Sequence, residues 1–344
     1  MKKIVSLILA LTLLLCFSGC GKYSDYADIT EYLTYEIIDG KVTITDCDEA
    51  VSGKVKIPKK IEGKPVTTIG NHAFSCCELI TDIVVPDSVT TFGKKVFSCC
   101  TQLENVNIPN SVTQVGENTF FYCTELETVD IPDVFYTTKR CFNCCSKFKD
   151  SYLPKGITEI PDGIYVNTSI ESITIPSTVK KIGESAFDSC DLLKTVIIEN
   201  SVQTISDAAF ENTGIESIVI PSSVTSIGRS AFKGCKELQE VQLSTSITRI
   251  ETATFRDCVL LDNVHIPSSV VEIGMSAFNG CTNLRYITFD EGVKKIGGRA
   301  FKDCTRLGKI TFPKSLVELA ENAFGDNRNH YVDITFLGEP LLDD

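Results

Sequence analysis

An aromatic residue returns at positions 74, 97, 120, 142, 165, 187, 210, 232, 255, 278, 301 and 324, Phe at each except Tyr165, in steps of 22 or 23. A period of that length means stacked supersecondary units, none of which can bury its apolar face alone. Two consecutive units show how closely the pattern is kept. Ala277-Phe278-Asn279-Gly280-Cys281-Thr282-Asn283-Leu284-Arg285-Tyr286-Ile287-Thr288-Phe289 is followed by Ala300-Phe301-Lys302-Asp303-Cys304-Thr305-Arg306-Leu307-Gly308-Lys309-Ile310-Thr311-Phe312. In general form the unit reads A-F-x-x-C-x-x-L-x-x-[IV]-x-[IL]-P-x-S-[VL]-x-x-I-G.

Each column has a physical role. Residues such as Val106 and Ile108 alternate as a strand with one buried face requires. A proline that often follows, as at Pro109, Pro176 or Pro267, has no N–H and ends the ladder. The Ser-Val-x-x-Ile-Gly segment turns the chain, with Gly70, Gly93, Gly116, Gly183, Gly228, Gly274 and Gly297 where tight backbone geometry is expected. The Ala-Phe pair then returns across the back of the coil to fill the core. Successive coils stack their strands in parallel, so the period predicts a solenoid of stacked 22–23-residue coils.

This pattern resembles the BspA-like leucine-rich repeat family of bacterial surface proteins. The stretch Tyr35 to Ile44, with Asp39-Gly40 between alternating flanks, followed by Ile57-Pro58 and Glu62 to Gly70, also looks like that family's entry unit. Read from the residues alone, it is a β-hairpin suited to capping an open sheet edge. The resemblance implies a fold class, a curved leucine-rich repeat solenoid of stacked 22–23-residue coils with a parallel concave β-sheet, and, because members have been studied as adhesins, binding of host or neighbouring-cell proteins. It carries no active site.

Nine of the 16 cysteines share one column, three residues after the aromatic: 77, 100, 123, 145, 190, 235, 258, 281 and 304. Two interior coils lack it, at Asn167-Thr168-Ser169-Ile170 and Asn212-Thr213-Gly214-Ile215, and both are one residue shorter between aromatic and aliphatic. Cysteine and loop length vary together, as expected of a small buried group that supports one loop shape rather than of a ligand or nucleophile. Cys141 occupies the column of Ala73 and Ala186, so Cys141-x-x-Cys144 dissolves as a zinc or redox motif. Cys76, Cys99 and Cys144 sit one place before the main column, among Tyr122, Ser189, Gly234 and Asp257, in a column expected to face solvent. Adjacent coils would bring Cys76 and Cys99 within the Cα range of a disulfide. Cys47 has no assignable role.

The start of the chain gives an address. Met1-Lys2-Lys3 precedes an apolar run from Ile4 to Leu15, too short to span a bilayer, and Phe17-Ser18-Gly19-Cys20 resembles a lipobox. The expected organisation is a lipoprotein signal peptide over 1–19, a lipid-anchored tether over 20–32 beginning at Cys20, the solenoid over 33–337 with its N-terminal cap at 33–60, and a C-terminal tail over 338–344. The chain would be exported and held at the cell surface or in the envelope by lipid on Cys20.

Composition and motifs limit the chemistry. A formal charge of −12 removes any general attraction to nucleic acid. The three histidines, His72, His265 and His330, lie in different columns and distant coils, which leaves no histidine triad or metal cluster to assemble. No phosphate-binding glycine loop or nucleophile elbow is present. No cofactor, no metal and no catalytic residue is expected.

Function should therefore sit on the outward side of the concave sheet. One outward column runs Val84, Asn107, Asp130, Tyr152, Thr174, Ile197, Val219, Gln242, His265, Thr288 and Thr311; a flanking column includes Asp82, Asn105, Asp150 and Tyr286. Tyr152, His265 and Tyr286 are the candidate contacts, because aromatic side chains give binding energy at small entropy cost, with Asp130 and Asp150 supplying charge. Ile197 and Val219 would form a small apolar strip. The sequence points to a monomeric, non-enzymatic, adhesin-like surface protein that recognises an extracellular protein or glycan. The alternative is a structural spacer of the envelope without a specific ligand.

Overall fold

The computed structural model describes residues 25–325 and 332–338, which fall into two compact units, Met1–Thr138 and Lys139–Asp344. Both are parallel β-solenoids. The expected signal peptide over 1–19, Cys20, His330 and nearly all of the expected C-terminal tail lie outside the described residues.

In the first unit the predicted hairpin is present. Leu33–Ile38 pairs antiparallel with Lys41–Cys47, and Asp39 and Gly40 hold the positive φ angles (50° and 72°) of a tight hairpin turn. Lys41–Cys47 continues in parallel to Lys64–Ile69, so the hairpin forms one edge of a six-stranded sheet that runs on through Thr91–Phe92 to Gln114–Val115. A second sheet runs in the order Ala27–Asp28, Gly53–Lys56, Ile80–Val84, Asn105–Asn107. Part of the segment expected to be a tether is thus built into the fold: Ala27–Asp28 pairs with Gly53–Lys56 and Ile29 is buried. This second sheet thins to a single bridge, Asn107 to Asp130. Where other coils place a short strand, Asp133–Thr137 forms a 3₁₀ turn that buries Phe135 and Tyr136.

In the second unit the coils from Ser172 onward supply two kinds of strand, a long one and a short one. Long strands such as Ser172–Ile175, Thr195–Ile198, Asn263–Ile266 and Tyr286–Phe289 alternate exposed and buried residues. Short strands such as Lys181–Ile182, Thr204–Ile205 and Glu272–Ile273 form separate parallel ladders. The Ser-Val-x-x-Ile-Gly segment therefore does more than turn the chain. The back of the coil is hydrogen-bonded as well: Phe187 N–H donates to Ala209 C=O (2.9 Å), and Phe210 N–H to Ala231 C=O (2.8 Å).

The column of Gly183 is tight for a reason other than unusual φ. Its φ is ordinary, but a Cβ there would lie 2.6 Å from the Ile160 carbonyl oxygen of the preceding coil, so only glycine lets the two backbones approach. Left-handed backbone instead occupies two other places in each coil from Phe74 to Phe301, two residues before and two after the aromatic. Cys76, Cys99, Tyr122, Cys144, Asn167, Ser189, Asn212, Gly234, Asp257, Gly280 and Asp303 all have φ between 52° and 78°. The column read as merely solvent-facing is a turn position.

The aromatic rings stack through the core. Phe187, Phe210, Phe232, Phe255 and Phe278 follow one another at centroid separations of 5.2, 5.4, 5.5 and 5.5 Å with planes within 10° of parallel. All five are fully buried.

Candidate functional site

The cysteine column is structural. Cys190 donates to Tyr165 C=O (2.8 Å), Cys235 to Phe210 C=O (3.1 Å), Cys258 to Phe232 C=O (3.1 Å) and Cys281 to Phe255 C=O (3.1 Å), all from fully buried positions. In the coils without the cysteine, Thr168 and Thr213 satisfy the carbonyls of Tyr165 and Phe210 from the same coil, at 2.9 and 3.0 Å. Burial pushes the Cys190 and Cys304 thiols up to about 12, which leaves almost no thiolate near neutral pH. Among the described residues no group of His, Cys, Asp and Glu could hold a metal ion. Cys76 and Cys99 are free thiols, each with its sulfur against the preceding serine hydroxyl, at 3.8 and 3.7 Å. In an in-register parallel ladder the two Cβ vectors run alongside one another, and nearness of Cα atoms does not bring the sulfurs together.

Outward side chains are the remaining candidates, and each unit presents its own set. In the first unit the face is partly closed. Asp82, expected outside, is buried: it accepts from Asn105 Nδ2 (3.0 Å), Thr81 Oγ1 (2.8 Å) and Tyr26 OH (3.5 Å), and Lys54 Nζ stands 3.8 Å away. Val84 is buried too. Asp130 is exposed at the bridge to Asn107.

In the second unit the face is open. Ile197, Val219 and Tyr286 are 53%, 59% and 63% exposed. The strands of Ile197 and Val219 are neighbours, and Tyr286 lies beside Asn263 in a four-stranded ladder that also pairs Val219 with Gln242 and His265 with Thr288. His265 and Tyr286 are therefore brought to one face of one sheet. Asp150 and Tyr152 are not on it, because their segment forms no strand; Asp150 instead accepts the Tyr152 N–H (3.0 Å) in a local turn.

The face is pre-ordered by cross-strand contacts. His265 Nδ1 lies 3.0 Å from Thr288 Oγ1 and Nε2 lies 3.3 Å from Asp290 Oδ2. Arg285 makes a two-pronged contact with Asp262, with Nη2 to Oδ2 at 2.7 Å, and its guanidinium sits 5.8 Å from the Tyr286 ring centroid. The guanidinium holds the Asp262 carboxyl below the usual carboxylate range. Sequence reasoning missed Asp262, Arg285 and Asp290, which flank rather than occupy the outward columns. Their signal was the 23-residue offset of opposite charges, Asp262 to Arg285.

A model of the BspA-type leucine-rich repeat region matches residues 67–194, 158–284 and 203–331, in six copies. The chain belongs to the BspA-type leucine-rich repeat family. Solved structures agree on the fold of this family member. A leucine-rich repeat protein from Bacteroides ovatus is 24% identical, with 89% of this chain and 98% of that one covered and a TM-score of 0.58. A leucine-rich cell surface protein from Faecalibacterium prausnitzii is 23% identical, with 90% and 94% covered and a TM-score of 0.54. A leucine-rich repeat protein from Eubacterium ventriosum is 21% identical, with 86% and 93% covered and a TM-score of 0.54. No curated protein matches the chain significantly in sequence. As a BspA-type solenoid, the chain has a fold typically used as a scaffold for protein interaction. Among the described residues no helix is long and apolar enough to cross a membrane.

Proposed function

We propose that this BspA-type protein is exported, anchored by lipid on Cys20, and acts at the cell surface as a monomeric binding protein, adhesin-like and without catalysis. Its partner is an extracellular protein or glycan, not a nucleic acid, and it docks on the outward columns of the long-strand ladders of the second unit. One observation carries this reading. Ile197, Val219 and Tyr286 are each more than half exposed on regular strands whose alternate residues are fully or nearly buried, so the face holds apolar and aromatic surface in water that a partner would cover. Arg285, Asp262 and His265 add a polar border with fixed geometry. Asp130, Asp150 and Tyr152 are secondary contacts in this reading.

Cross-linking of the mature protein on intact cells tests it, with Tyr286→Ala and an Ile197→Asp/Val219→Asp double variant. Loss of about 2 kcal/mol at a central aromatic contact corresponds to roughly thirty-fold weaker capture. Capture unchanged in both variants would place the binding surface elsewhere, and no capture by the native chain would favour the spacer role. Cys20→Ser should release the protein from the membrane fraction; retention would remove the lipid anchor from the proposal.

A further inference from the structure

The second unit has a recess beside its open face, built from two adjacent columns of the repeat. Gln239, Asp262 and Arg285 each follow the buried leucine of their coil, Leu238, Leu261 and Leu284, while Leu260 and Asn283 precede it. Backbone bonds hold these columns in register: Asp262 N–H donates to Gln239 C=O (3.3 Å), Arg285 N–H to Asp262 C=O (2.9 Å) and Asn283 N–H to Val259 C=O (3.2 Å). The five side chains line an open depression of about 380 Å³, within the size range of small-ligand sites. Tyr286, next in the chain, is 63% exposed, with its ring 5.8 Å from the Arg285 guanidinium.

This lining carries no net charge and offers both donors and acceptors. The Arg285 guanidinium donates to both oxygens of Asp262, so neither group stands as a bare charge. Both keep capacity, because a guanidinium has more N–H groups than these two bonds use and each carboxylate oxygen can accept a second bond. Asn283 is fixed in place: its Nδ2 donates to Leu260 C=O (3.2 Å) and its Oδ1 accepts from Arg306, which leaves one amide N–H. Gln239 is exposed, and its side-chain amide bonds to no other described residue. Leu260 adds an apolar patch that is 38% exposed. An anion or a cation would find no unpaired counter-charge on these five residues. A sugar ring fits them better: each hydroxyl both donates and accepts, and the C–H face of the ring is apolar.

We propose that this recess binds a neutral sugar unit of a glycan chain. Neighbouring hydroxyls of the ring donate to Asp262 and accept from Arg285, Asn283 and Gln239, its C–H face covers Leu260, and Tyr286 offers a second apolar face to the next sugar along the chain. The Asp262–Arg285 pair is formed before the ligand arrives, so two of the polar side chains need little further ordering on binding. The inference rests on the binding role proposed above and narrows its partner to a glycan. A protein seated on Ile197, Val219 and Tyr286 alone would have no use for the recess.

The mature chain carrying Cys20→Ser, and therefore free of lipid, is screened on an array of neutral and anionic glycans, and the glycans retained are titrated by calorimetry. The expected result is retention of neutral glycans, unchanged by added salt because the ligand is uncharged. Affinity should fall roughly tenfold in Gln239→Ala, about the loss of one hydrogen bond, and at least as far in Asn283→Ala. Gln239 has no side-chain bond to lose within the described fold, so its variant reports on the ligand even if Asn283→Ala fails to fold. Retention of anionic glycans alone, or neutral binding that survives both variants unchanged, overturns the proposal. Retention of no glycan while capture on cells is still lost in Tyr286→Ala also overturns it, and leaves the binding role with a protein partner. Retention of no glycan together with no capture by the native chain removes both readings.

Discussion

The two units use one repeat grammar but leave the same column open to water to different extents. In the first, Asp82 of the flanking column is 5% exposed beside Tyr26 and Lys54; in the second, Tyr286 of the same column is 63% exposed. Their cores differ in the same sense. Phe232 lies between Phe210 and Phe255 with planes within 9° of parallel, whereas Phe74 and Phe97 are tilted by 40° and Phe92 meets Phe97 edge-on at 73°. Phe92 stands where the second unit has Ile205 or Ile273. A ring in the isoleucine column adds an edge-on contact to Phe97, which is tilted from Phe74 yet stays within 15° of Phe120, and an N-terminal segment folded beside the first coil closes a surface that the repeat alone would leave open. The repeat fixes which side chains point outward; non-repeated neighbours decide which of them stay available.

The largest test of this contrast is ring deletion. Phe232→Ala should cost roughly 3–5 kcal/mol, because the parallel stack has no spare ring to relax into the space. Phe97→Ala should cost less, since Phe92 sits at 5.7 Å on its edge and can shift. Denaturant unfolding with hydrogen exchange resolved by unit measures both, and equal costs would break the comparison.

A smaller effect is expected at the outward column. Asp82→Ala removes the acceptor of Asn105 and Thr81 in a covered site and should cost about 1–3 kcal/mol. Tyr286→Ala, at the matching place on the open face, should stay within about 0.5 kcal/mol of the native chain. A costly Tyr286→Ala would mean that the open face is not free.

Much of this was legible in the sequence because identical residues recur at a fixed period. The buried rings, the column of thiols and the outward placement of Ile197, Val219 and Tyr286 follow from spacing alone. The left-handed turn column was legible in principle, since Gly234, Gly280, Asn167, Asn212, Asp257 and Asp303 are the residue types that tolerate positive φ, but cysteines at 76, 99 and 144 hid it. Other features lay outside the repeat and had no column to reveal them. Asp82 is covered by Tyr26 from a segment that reads as polar tether. Pro132-Asp133-Val134-Phe135 keeps the proline of the grammar but not the following turn, and the chain winds into a 3₁₀ turn there. The polar border around Tyr286 was missed because charge pairs across coils are visible only once the register is known.

The repeated thiols are sealed packing groups, and thiol reactivity belongs to the turn column. Alkylation of the native protein at pH 8, read site by site by mass spectrometry, tests it directly. Cys76 should label first, followed by Cys99; Cys144 should follow slowly, because burial raises its thiol and leaves less thiolate at a given pH, and should speed up as the pH is raised. Cys190, Cys235, Cys258, Cys281 and Cys304 should remain unlabelled until the chain unfolds. Labelling of those five in the native protein at rates near that of Cys76 would contradict the stacked core.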